Sequence, residues 1–135
     1  MRREQDMPAR VGSYILLAEL AEDTRIRVGK LGEIAFRRGY YAYVGSALRG
    51  LDARVARHRR RDKKFHWHID YLLQHARVLD IITIESTERL ECPVASSLAE
   101  RFTTIPRFGS SDCRCASHLF WSEELPLALP GGQQR

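Results

Sequence analysis

The sequence predicts a mixed α/β domain of the α+β type, with a small antiparallel or mixed sheet, an extra hairpin near the N-terminus and about three flanking helices. Three observations predict it. The chain has 135 residues, enough for one hydrophobic core and not for two. Up to Ala47 apolar residues come in short runs or alternate with polar ones between glycines, as in strands. From Leu51 the apolar repeat changes to three and four, as in helices.

The elements follow in order. Residues 1–10 read as a flexible tail, residues 11–124 as the folded domain, and residues 125–135, with two prolines and a Gly-Gly pair, as a second tail. Ser13 to Leu20, "SYILLAEL", is an apolar run of strand length. "TRIRVGKLGEIAFRRG" alternates around the turn glycines Gly29 and Gly32, which predicts a hairpin. "YYAYVGSA" is rich in aromatic and β-branched residues and predicts the next strand of an antiparallel meander. In "GLDARVARHRR" Leu51, Val55 and His58 recur at helical spacing, and Asp52 suits the positive end of the helix dipole. "HWHIDYLLQHA" puts His66, Ile69, Asp70 and Leu73 on one helical stripe. "RVLDIITIES" predicts a strand, "CPVASSLAERF" a helix with Pro93 in its first turn, and "ASHLFWSEE" a strand returning to the sheet.

Charge is the second clue. The net charge is +5 and the pI about 9.4, and the excess is concentrated. Arg54, Arg57, Arg59, Arg60, Arg61, Lys63 and Lys64 stand against a single acid, Asp62. A clustered cationic face is the footprint of a phosphate-backbone binder, whose association is driven largely by counterion release. The other outcome for such a run is a solvated helix face. No apolar run approaches the roughly 20 residues of a membrane span. The N-terminus "MRREQDMPAR" lacks the apolar core of a secretory signal. Three cysteines, Cys92, Cys113 and Cys115, cannot all pair within one chain, so reduced thiols and a cytoplasmic location are expected.

The chemistry-bearing residues converge on one region. Arg54 and His58 are four apart on the expected helix and project from one face, with Arg61 near it. A guanidinium fork holds phosphate oxygens, and an imidazole moves protons near neutral pH. Before that helix comes a strand with Tyr41 and Tyr43 on one face, ending at Gly45, and the first strand opens on another Gly-x-Tyr, Gly12 to Tyr14. If those strands are neighbours, two phenols, a guanidinium and an imidazole share one cleft.

"GSY", then "YVG", then "RVARH" eight residues later resembles the GIY-YIG nuclease superfamily. The longer stretches "YYAYVGSA", "KKFHWHIDYLL" and "FGSSDCRCASHLF" resemble its Uri-type endonuclease branch, over about residues 11 to 121. The resemblance implies a GIY-YIG-like core and DNA cleavage at a single divalent ion, Mg²⁺ or Mn²⁺, with a role in repair or mobile-element biology. It implies that Tyr14 and Tyr43 position the phosphate and the attacking water, that Arg54 neutralises growing phosphoryl charge, and that His58 assists proton transfer. Arg57, Arg59, Arg60, Arg61, Lys63 and Lys64 would contact the nucleic acid. A later carboxylate would hold the metal: Glu91 at the start of the third helix, with Asp70 the rival. The first motif reads GSY, keeping Tyr14, and the long gap from Tyr14 to Tyr43 is assigned to the extra hairpin. A DNA-binding module that lacks cleavage is the alternative.

Other residues receive plainer readings. Tyr40 and Tyr41 are packing residues, and His66 and His68, which flank Trp67 and have the residue type of metal ligands, are expected instead to make hydrogen bonds that orient their helix. His75 has no role. Cys113, Cys115 and His118, with or without Cys92, have the residue types of a zinc site, but the C-x-C-x-x-H spacing is tighter than the usual knuckle and buried thiols are expected instead.

Overall fold

The computed structural model describes residues 10–47, 50–60, 64–65, 67–87, 90–108 and 117–125. It has the α+β architecture predicted from sequence. A five-stranded, wholly antiparallel sheet in the order β5-β1-β4-β7-β6 is built from β1 (Gly12–Leu20), β4 (Gly39–Ala47), β5 (Arg77–Glu85), β6 (Thr103–Ile105) and β7 (Leu119–Ser122). The strands β2 (Thr24–Arg27) and β3 (Glu33–Phe36) make a separate two-stranded ribbon, turned through a 3-10 segment at Gly29–Leu31. Three helices complete the described residues: α1 (Leu51–Arg59), α2 (His68–Leu73) and α3 (Glu91–Ala99).

The order is not that of a meander, since β5 lies beside β1 and β7 beside β4. The hairpin lies outside the main sheet, so β1 pairs directly with β4, from Gly12 opposite Ala47 to Leu20 opposite Gly39. The third helix ends at Ala99, short of "RF", and β6 follows at Thr103, a strand too short to carry a periodic signal.

Alternation along the strands sorts the core into two clusters, one on each face of the sheet. On one face Tyr14, Leu16, Tyr41 and Tyr43 pack with Leu51 of α1, Ile69 and Leu72 of α2, Ile26 and Val28 of the ribbon, and Phe108. On the other, Ile15, Ala42, Val44 and Phe120 pack with Ala95 and Leu98 of α3. The first face therefore carries α1 and α2, and the second carries α3.

Two sequence expectations are corrected here. Arg10 is anchored: its guanidinium pairs with Asp52 at 2.8 Å and Glu85 at 3.4 Å, and its carbonyl accepts the Leu51 N–H at 2.7 Å, which fixes the start of α1. Cys92 is disulfide-bonded, contrary to the expected reduced thiols, and this removes the cysteine argument for a cytoplasmic location. Cys113 and Cys115 lie outside the described residues, as do residues 1–9 and 126–135. No helix among the described residues is long and apolar enough to cross a membrane.

The β1–β4 register makes Tyr14 and Tyr43 diagonal neighbours, because Tyr14 faces Gly45 and Leu16 faces Tyr43. The Tyr14 ring then lies across Gly45, and a Cβ at position 45 would collide with Cζ and Oη of that ring. Gly45→Ala is expected to destabilise the fold by about 1–3 kcal/mol, the usual cost of overpacking. In a Tyr14→Ala background most of that cost should vanish. Urea unfolding of the four-member cycle measures it, and a cost independent of Tyr14 would refute the steric account.

Candidate functional site

The site begins with a polar pair inside an apolar cluster. Tyr14 comes from β1 and His58 from the last turn of α1, and both are nearly sealed from water, at 1% and 2% exposure. Tyr14 Oη and His58 Nε2 share a hydrogen bond at 2.7 Å. The rings stand 5.2 Å apart between centroids, and Tyr43 is 6.3 Å from each. A buried hydroxyl without a partner costs about 1–3 kcal/mol, so a phenol at this position requires a helix residue able to answer it. His58 does so because Leu51 and His58, seven apart, face the sheet together.

Trp67 stands against this cluster, its ring 6.1 Å from that of His58. Two arginines from α1 lie over the same indole: Arg54 Cζ at 4.2 Å and Arg57 Cζ at 4.3 Å from the ring centroid. Arg54 also donates to the Ser46 carbonyl at 2.8 Å, just beyond the YVG tripeptide. Its guanidinium is therefore tied to β4 at one edge and stacked at its face.

Arg57 has a different partner. It holds Asp70 bidentately, Nη1 to Oδ1 at 2.8 Å and Nη2 to Oδ2 at 2.9 Å, and donates to the Lys64 carbonyl at 2.8 Å. Asp70 Oδ2 also accepts the Trp67 N–H at 2.9 Å, the carboxylate half of a capping box at the start of α2. Asp70 is 0% exposed and the Arg57 side chain 18%. The chain Asp70–Arg57–Trp67–Arg54 is a continuous brace from α2 to α1.

The structure thus brings together four of the residues singled out from sequence, Tyr14, Tyr43, Arg54 and His58. Tyr14, Tyr43 and His58 form a closed cluster rather than the open cleft expected, since Tyr43 too is only 6% exposed, while Arg54 is half-buried. Two assignments are corrected. Asp70 is not placed as a metal ligand, because its carboxylate is engaged by Arg57 and by the α2 N-terminus. Arg57 is not a surface contact for nucleic acid, because its fork is spent on Asp70. Arg59, Arg60 and Lys64 are exposed, whereas Arg61, Lys63 and His66 lie outside the described residues. Glu91 begins α3, which packs on the face of the sheet opposite Tyr14; its side chain is outside the described residues. Among the described residues no group of three or more His, Cys, Asp or Glu could hold a metal ion. The zinc question falls on Cys113 and Cys115, outside the described residues; His118 is buried beside β7.

Sequence reading missed Trp67 as the centre of the brace. The signal was present: an aromatic just before a helix whose third residue is an acid, following a run of arginines. The carboxylates that share the Tyr14 side of the sheet were also missed. Glu85 is opposite Gly12 on β5, and Arg10 links it to Asp52 on α1. His68 packs its ring 5.5 Å from Phe108, and burial pushes its imidazole below the usual value. Tyr41 donates its hydroxyl to the Arg37 carbonyl, as befits a packing residue, and burial pushes its phenol up.

The family model described as "Domain of unknown function DUF123" matches residues 13–129. The chain belongs to that family. No curated protein and no solved structure matches it.

Asp70→Asn is expected to cost about 3–5 kcal/mol in urea unfolding, the toll of leaving a largely buried guanidinium unpaired. Replacing the pair together, Arg57→Leu with Asp70→Leu, should cost clearly less than the two single changes summed; strict additivity would refute the brace. Stability should also fall as pH drops below about 6.5, the ordinary histidine value. The unfolded chain takes up the His68 proton there while the folded one, with its lowered value, resists. The full contribution is present above that pH, and a His68→Gln variant should lose this part of the slope.

Proposed function

We propose that this chain is a nuclease of the GIY-YIG type, of the Uri-type branch, that hydrolyses phosphodiester bonds in DNA. The observation that carries the reading is the buried Tyr14–His58 hydrogen bond, formed between the GSY motif and the α1 helix, with Tyr43 of the YVG motif beside it. A core selected for stability alone gains little from a phenol–imidazole pair where apolar side chains would pack as well. Hydrolysis needs a proton taken from water and one returned to the departing oxygen, and a phenol hydrogen-bonded to an imidazole is able to pass one. Arg54, held by Ser46 and Trp67, offers a fixed positive charge, which accelerates phosphoryl displacement when aimed at the oxygens that gain charge. The exposed Arg59, Arg60 and Lys64 supply the attraction for a nucleic-acid backbone. Requirement for Mg²⁺ or Mn²⁺, a cytoplasmic location and work in repair or mobile-element biology belong to the same proposal.

One observation favours a second reading, a DNA-binding module without cleavage. Tyr14 and His58 are sealed from solvent, at 1% and 2% exposure.

The deciding experiment incubates the protein with labelled single-stranded, duplex and branched DNA, with and without added Mg²⁺ or Mn²⁺. Cleavage is expected with the ion. Arg54→Ala should lose about 10²–10³-fold in rate, as other fixed electrostatic donors do, with an unchanged circular dichroism spectrum. Salt-sensitive binding with no product in any arm selects the binding module.

A further inference from the structure

A pocket of about 210 Å³ opens between the end of α1 and the start of β5, lined by His58, Arg59, Arg60, Leu73, Ala76, Arg77 and Val78. Three guanidiniums from two elements stand around it. Leu73, Ala76 and Val78 form its apolar wall, and His58, whose imidazole is buried against Tyr14, is among the lining residues. Arg77 was assigned no role from sequence.

We propose that this pocket binds a phosphate group, seated by Arg59, Arg60 and Arg77 and placed beside His58. The inference rests on the nucleic-acid reading above for its source of phosphate, and not for the site itself.

Size and charge both argue for this ligand. Sites for drug-sized molecules start at about 300 Å³, so the pocket is suited to a group the size of a phosphate rather than to a whole nucleotide. Planar guanidiniums match phosphate oxygens in pairs, and an apolar wall weakens the competing solvation. Two opposing charges are present. Glu19 accepts from Arg77 Nη2 at 2.8 Å, leaving the Arg59 and Arg60 charges in excess. The end of α1 contributes about half a negative charge that fades within one turn, against two full positive ones.

The test uses inorganic phosphate as the probe. ¹⁵N-labelled protein is titrated at constant ionic strength, with chloride as the reference anion, and the amides of Ala76, Arg77 and Val78 are followed. A saturable shift is expected with phosphate and not with chloride. Arg60→Ala with Arg77→Ala should weaken it at least tenfold, whereas Arg25→Ala with Arg27→Ala, removing equal charge from the exposed ribbon, should change it less than twofold. All four side chains are exposed, and the spectra report directly whether each variant is folded. Equal loss in both pairs, or identical shifts with chloride, overturns the pocket in favour of diffuse attraction. Oligonucleotides with a 5′-phosphate or a 5′-hydroxyl then separate the sources. A preference for the phosphorylated end, lost in the pocket variant, assigns a terminal monoester. Equal binding that weakens in the pocket variant assigns an internal diester, and binding indifferent to the pocket variant refutes it. Saturable phosphate with no DNA cleavage leaves the pocket standing and removes the nuclease; cleavage without a phosphate site does the reverse.

Discussion

Most of the molecule is arranged around the demands of one buried phenol. Tyr14 needs room for its ring and an acceptor or donor for its hydroxyl, and each need constrains a different element. The room comes from Gly45 on β4, which fixes that strand's register. The polar partner comes from His58, which fixes the rotation of α1 on the sheet. Neither GSY, YVG nor the helical histidine is intelligible alone. Together they describe a single contact among three elements distant in sequence.

The basic segment divides into two populations. Arg54 and Arg57 turn inward and sandwich their charge against Trp67, so they are structural anchors as well as charges. Arg59 and Arg60, one turn later, stay in solvent and line the pocket beside β5. A helix of nine residues thus carries an apolar contact at Leu51, a brace in its middle and a cationic rim at its end. The brace matters for precision, because a guanidinium on a flexible stem is a poor positioner unless its plane is held.

What was legible in the sequence follows the range of the interactions. Strand alternation in "YYAYVGSA", the helical spacing of Leu51, Val55 and His58, and the turn glycines are local signals, and the corresponding elements are present. The convergence of Tyr14, Tyr43, Arg54 and His58 was read from strand alternation and helical spacing on the condition that the two tyrosine strands are neighbours, and the pairing of β1 with β4 meets that condition. The pairing of Asp70 with Arg57 was not legible, since thirteen residues separate them and an acid near a histidine reads equally well as a ligand or as a counter-ion. The closure of the cluster was equally hidden, because Trp67 lies on a connection whose path no periodicity reveals. Placement of α3 on the far face depended on which side of the sheet its Ala95 and Leu98 found partners.

The β2–β3 ribbon bears on how such domains vary. Its backbone bonds are internal, so lengthening or deleting it leaves every rung between β1 and β4 intact, and the entropy of a longer excursion grows only with the logarithm of its length. What the ribbon does supply is Ile26 and Val28 to the core. A homologous chain that dispenses with the excursion is therefore under no pressure to alter its tyrosine strands, but must find other bulk to fill the places of Ile26 and Val28 in the core. The interval between the two tripeptides is in that sense an adjustable tether, and kinship in this family is better judged by side-chain volume at that spot than by counting residues between motifs.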